Sequence, residues 1–241
     1  RRLAFLRWPV ADLRAIGRPA GATINDVVLA ALAAGLGRWL CRLGTDVSGH
    51  ALRVLVPVNV RREDERHLLG NRVSMIPVEI PFDGTPRDRL AATIARTTAM
   101  KRVGLADLVD RAADFVDVVP AAVYGAALSL AASPGVLSWS APLRSASFLT
   151  ANLVCTNVPG PPVPLYCLGH RVIAHQPFVP LAFETGLNVA LLTYDQVLHL
   201  TLVADAAAVP DLDPLADAVE AACRELAAAT GAAQTPRAPH C

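Results

Sequence analysis

The sequence predicts an α/β protein organised around a mixed sheet. Short runs with period-two or β-branched patterning intermix with longer runs of helical periodicity. They do so without regular βαβ units, which points to a layered mixed-sheet fold rather than a doubly wound parallel one. The 241 residues, 53% of them hydrophobic, are enough to bury a substantial core.

Each element has a local reason. "RRLAFLRW" reads as a strand with Leu3, Phe5 and Arg7 on one side. "VADLRAIGR" is a short helix stopped by Pro19 and Gly21. In "GATINDVVLAALAAGLGRWLCRLG", Thr23 and Asp26 form a capping box. Val28, Leu29, Leu32, Leu36, Trp39 and Leu40 follow at helical spacing, and Gly44 ends the helix. "ALRVLVPVNV" and "NRVSMIPVEI" are β-rich, and Pro57 and Pro77 call for bulges or edge positions. "TPRDRLAATIARTTAMKR" opens with Thr85 as cap, Pro86 in the first turn and Asp88 completing a second box.

Further on, "LADLVDRAADFVDVV" is amphipathic at helical spacing. The apolar run Val118 to Ser133 falls short of the ~20 residues a spanning helix needs. "SASFLTANLVCTN" reads as a mostly buried strand, and "GLNVALLTYDQVLHLTLVAD" as a hairpin turning at Asp195-Gln196. The last helix, "DLDPLADAVEAACRELAAATG", takes Asp213 as its cap and Gly231 as its stop. One domain is expected over residues 1–229, with a disordered tail over 230–241.

Composition narrows the function. A net charge of +1 gives no bulk electrostatic reason to bind nucleic acid. Cys41, Cys155, Cys167, Cys223 and Cys241 lie scattered, with no CxxC pair and no Cys/His cluster at zinc spacing. That predicts a reducing compartment, with most thiols buried as small apolar residues, and no metal site. The first residue is not Met and no signal peptide is visible, so a longer parent protein is expected.

The stretch "TNVPGPPVPLY" is dense in proline. Pro159-Gly160 suits the centre of a type II turn, with Gly160 at positive φ. Pro161, Pro162 and Pro164 stiffen the next few residues of chain.

Four segments, in order, resemble the C-terminal half of the bacterial wax ester synthase/acyl-CoA:diacylglycerol acyltransferase family. They are "GATINDVVLAALAAGLGRWL", "RVLVPVNVRRED" with "LGNRVSMIPVEIP", "NLVCTNVPGPPVPLYCLG", and "GLNVALLTYDQVLHLTLVAD" with "VPDLD". The resemblance implies a chloramphenicol-acetyltransferase-like (CoA-dependent acyltransferase) half-domain, one of two related α/β halves around a substrate tunnel. It implies transfer of a fatty acyl group from acyl-CoA, a co-substrate, to a long-chain alcohol or diacylglycerol, with no bound cofactor. The family's His-His-x-x-x-Asp-Gly motif belongs to the N-terminal half, and this chain has no adjacent histidines. No catalytic residue is therefore assigned here; the partner would be an N-terminal catalytic half, on the same chain or a separate one. A cytoplasmic location, peripheral to a membrane or lipid droplet, goes with this reading. The alternative is a non-catalytic lipid-binding or partner-binding half-domain.

The candidate site residues each carry two readings. Asn25 and Asp26 cap a helix, or stand at a helix start beside the tunnel. Arg61 and Asn71 bracket a solvated loop, or tie that loop and meet the phosphates of CoA. Asn157, Pro159 and Gly160 form a rigid turn, or wall the tunnel at the interface between the halves.

Overall fold

The computed structural model describes residues 1–59, 73–102, 151–181 and 185–232. The amphipathic helix expected after residue 104, the apolar run Val118 to Ser133, and Arg61 and Asn71 lie outside these.

The order is β1 (Arg2–Pro9), α1 (Val10–Gly17), a 3-10 turn (Arg18–Ala20), α2 (Ile24–Arg42), β2 (Ala51–Asn59), β3 (Val73–Pro81) and α3 (Pro86–Arg102). Then come β4 (Leu153–Pro159), the two-residue strands β5 (Tyr166–Cys167) and β6 (His170–Arg171), β7 (Leu187–Tyr194), β8 (Val197–Ala204) and α4 (Asp213–Thr230). Six strands form one sheet in the order β1-β8-β7-β4-β2-β3. Its centre is parallel, β2 to β4 and β4 to β7, and its flanks are antiparallel.

Local chemistry sets most boundaries. The Thr23–Asp26 capping box is present at α2, and Thr85 and Asp88 repeat it at α3. Two left-handed glycines stop helices: Gly44 lies just past α2 (φ +82°) and Gly231 caps α4 (φ +72°). Pro77 does sit on an edge strand, β3. Pro57 lies beyond the two residues of β2 that pair with β4, and the β2–β3 register runs unbroken past both prolines. No bulge is needed, because neither missing N–H interrupts a ladder.

One expectation is corrected. Asp213 does not cap α4: Leu212 is the cap residue, with no side-chain cap bond, and Asp213 is the first helical residue. Its own N–H is taken by Asp211 Oδ1. On β1, the side holding Leu3, Phe5 and Arg7 is exposed; Ala4, Leu6 and Trp8 are buried. Arg7 decides this, since burying that face would strand an unpaired guanidinium.

The helices pack on one face of the sheet. Leu6, Trp8, Leu200, Leu202, Val189 and Leu191 supply part of that core, each large side chain contributing roughly 1.5–3 kcal/mol. α2 is long and apolar enough to cross a membrane, and it is instead a core helix, buried from Asp26 to Gly37. At Gly35 a Cβ would come within 2.5 Å of Val219 Cα, so α2 and α4 approach at backbone distance.

The segment 160–181 is laced to the other face. Tyr194 Oη donates to Val172 O and accepts from Leu165 N, both at 2.8 Å. Asn188 Nδ2 donates to Pro180 O at 3.0 Å. This segment holds much of the exposed large apolar surface among the described residues: Val163, Tyr166, Leu168, Ile173 and Phe178 are each more than half exposed.

Candidate functional site

The C-terminal ends of β2 and β4 meet the N-terminus of α2. Carboxyl ends of parallel strands are where open α/β sheets most readily form a site. Here they leave a small cleft of about 60 Å³, open to solvent. Leu29, Val56, Ile76 and Val78 form its apolar wall, and all four are buried. Asn25, Asp26, Thr97 and Met100 line the rest, with Pro57.

Asp26 is 3% exposed and bonded through both oxygens. Oδ2 accepts from Thr23 N at 2.8 Å and from Thr23 Oγ1 at 2.7 Å. Oδ1 accepts from Thr97 Oγ1 of α3 at 2.8 Å. The carboxylate thus welds the start of α2 to α3 through both of its oxygens. For Asp26 the capping role is the one the geometry supports.

Asn25 is different. It is half-buried at the first turn, and its Oδ1 accepts from Asn157 Nδ2 at 3.1 Å. These residues are 132 positions apart, and the fold alone joins them. The pairing consumes the Oδ1 of one amide and an N–H of the other. What remains beside the cleft is two N–H donors on Asn25 Nδ2, one on Asn157 Nδ2, and an acceptor on Asn157 Oδ1.

Pro159 is the last residue of β4, paired with Thr193. Gly160 is not at positive φ, which overturns the type II turn. The glycine is needed for space: a Cβ there would sit 2.2 Å from Thr193 O and 3.0 Å from Leu192 Cδ2. The chain continues alongside β7, with Asp195 N donating to Pro161 O at 3.1 Å. The prolines stiffen a run that bends at Pro162 and Val163, not a type II turn at Gly160.

Thr97 and Met100 were missed by sequence reading. They sit in the last two turns of α3, whose sequence carries no mark of a site there. Only the antiparallel packing of α3 on α2 brings them to the cleft.

Of the described histidines, His199 is the buried one. His199 is 2% exposed, with its Nδ1 unpartnered and no carboxylate bonded to it. Burial chiefly, then the charges of Arg7 and His175, push its pKa down. Of the four described cysteines, Cys155 and Cys223 are buried and Cys41 and Cys167 exposed, so only half fit the buried expectation. Burial pushes both inner thiols up to about 12.

The sequence pattern of the WS/DGAT C-terminal domain matches residues 69–227. A Mycobacterium tuberculosis protein named as a diacylglycerol O-acyltransferase is 37% identical over 97% of this chain and 45% of its own length. The chain belongs to the WS/DGAT family. A second relative of that name, from Mycobacterium bovis, is 31% identical over 95% of the chain and 47% of its own length. The WS/DGAT domain therefore spans about half the length of the curated relatives it matches. Its fold is that of the wax ester synthase/diacylglycerol acyltransferase from Marinobacter aquaeolei VT8, at TM-score 0.69 and 23% identity, covering 95% of this chain and 49% of that one. The epimerization domain of tyrocidine synthetase B shares the fold at TM-score 0.58 and 11% identity, over 95% of this chain and 48% of that domain.

Proposed function

We propose that this domain is the acceptor-binding half of an acyl-CoA-dependent O-acyltransferase acting on a long-chain alcohol or diacylglycerol. One observation carries the reading. Asn25 lines an apolar cleft, and its bond to Asn157 leaves amide donors and an amide acceptor beside it. A hydroxyl needs both, since it donates one hydrogen and accepts through its lone pairs. An alkyl chain behind that hydroxyl would meet Leu29, Val56, Ile76 and Val78.

The chemistry needs a base for the hydroxyl proton, and an N-terminal half would supply it as the family's histidine. General base catalysis contributes typically ~10²–10⁴-fold. The base takes the proton as the oxygen attacks the acyl-CoA carbonyl. The tetrahedral intermediate then expels the CoA thiolate, which takes up a proton, leaving the ester. Asn25 and Asn157 hold the hydroxyl in place, and its proton turns from Asn157 Oδ1 to that base as the oxygen attacks. The exposed apolar side chains of 160–181 would meet the N-terminal half, and peripheral contact with a lipid surface belongs to the same proposal.

The test is acyl transfer from palmitoyl-CoA to hexadecanol and to dioleoylglycerol, followed by CoA release. This chain alone should give none. Fused behind the N-terminal portion of the 37%-identical relative, it should give ester. In that fusion Asn157→Ala should lower kcat/KM for the acceptor by roughly tenfold, the worth of one hydrogen bond. A folded fusion that is inert, beside an active full-length relative, would refute the reading.

A further inference from the structure

The cleft has one adaptable wall, and it stands next to the hydroxyl position. Val56, Ile76 and Val78 are buried, branched at Cβ and stiff at χ1; Leu29 is 1% exposed and locked in the core. Pro57 cannot rotate. Thr97 is tied by its bond to Asp26. Met100 alone among the lining side chains is half-buried, unbranched and untethered, and a thioether with three rotatable bonds reshapes easily.

Its height in the cleft is set by the helix pair. Thr97 is level with Asp26, since the two are bonded. The start of α3 lies beside the middle and end of α2, because Pro86 and Arg89 share a crevice with Ala30, Ala34 and Arg38. The helices are therefore antiparallel, and Met100, about one turn past Thr97, lies at or just beyond the N-terminus of α2. It stands at the Asn25 end of the cleft, partly buried with its stem against the core.

We propose that Met100 is a specificity-determining residue: its side chain sets how much bulk the acceptor can carry at and next to the carbon bearing the hydroxyl. A straight primary alcohol passes it. A secondary alcohol, or the substituted glycerol carbon of a diacylglycerol, must displace it. This rests on the reading of the cleft as an acceptor site, and its test needs no turnover.

The chain contains only two methionines, Met75 and Met100. Carbon-13 methyl labelling of methionine therefore gives two resonances, assigned with Met100→Leu. The probes are decanol and a secondary alcohol of the same length with its hydroxyl at mid-chain. Saturable movement of the Met100 resonance by decanol is expected, with the secondary alcohol bound ~10-fold more weakly, the size of a steric misfit in an apolar pocket. Met100→Ala should bring the affinities for the two alcohols within about threefold of each other. Three results would overturn the proposal: a Met100 resonance that decanol does not move, equal binding of both alcohols to the parent, or unchanged discrimination in folded Met100→Ala. An inert fusion with these shifts intact would sink the catalytic reading instead.

Discussion

Replacing Gly160 by alanine separates two accounts of the proline-dense stretch. If Gly160 were there for a left-handed turn, alanine would cost about 1–2 kcal/mol of backbone strain and asparagine would be tolerated. The structure gives a steric account. The new Cβ would lie 2.2 Å from Thr193 O, and ordinary contact starts at 3.4 Å. β4 and β7 would have to part there by about 1.2 Å, or Cβ would overlap a backbone oxygen, an overpacking cost of about 1–3 kcal/mol. Such a shift stretches the 3.1 Å bond from Asp195 N to Pro161 O past hydrogen-bonding range, which loses about 1 kcal/mol more. The stiffer unfolded chain returns about 0.4–1 kcal/mol. The net expectation is about 1–3.5 kcal/mol, or roughly 2–14 °C in Tm for a chain this size. Urea unfolding monitored by circular dichroism measures it, with Gly160→Asn alongside. Gly169→Ala is the control: φ is +81° and nothing lies within 4 Å, so only strain of about 1–2 kcal/mol is expected. A Gly160→Ala protein within about 0.5 kcal/mol of the parent, the range of a neutral surface change, would refute the close-approach argument.

Other perturbations test the same geometry. Asp195 and Gln196 turn the β7–β8 hairpin with φ of 46° and 64°, a conformation glycine adopts freely. Gln196→Gly should stabilise by about 0.5 kcal/mol after loss of its exposed bond to Pro162 O, and a lower urea midpoint would contradict this. The pKa of His199 lies below its ordinary 6.5 in the folded state. The unfolded chain therefore takes up the proton first as pH falls, and stability declines from about pH 6.5 downward. His199→Gln should flatten that decline, whereas an unchanged slope in urea midpoints between pH 7 and 5 would show that burial of His199 is not its source. Alkylation with peptide mapping should find Cys41 and Cys167 reactive in the native protein and Cys155 and Cys223 protected until unfolding; early labelling of Cys155 would contradict the packing of β4.

What the sequence determined by itself lies within a few residues of chain. The boxes at Thr23–Asp26 and Thr85–Asp88, the stop at Gly231 and the turn at Asp195-Gln196 were all legible, because donor and acceptor, or the two strands of a hairpin, are near neighbours in sequence. The four ordered segments made the family legible for a different reason, as a pattern spread along the whole chain. Tertiary structure decided the rest. Which side of β1 is buried depended on where α1 and α4 pack, and Arg7 was the one residue that signalled it. The role of Gly160 depended on Thr193, a strand away, so a proline-glycine pair with every local mark of a turn became a point of backbone contact. Asp26 read equally well as cap or site until Thr97 took its second oxygen. Asn25 and Asn157 were each candidates, but their hydrogen bond, and the donors and acceptor it leaves free, exist only because the sheet order β7-β4-β2 sets β4 beneath the start of α2. No periodicity or propensity encodes such a meeting: it comes from packing two faces together, and that packing is decided by the whole core at once.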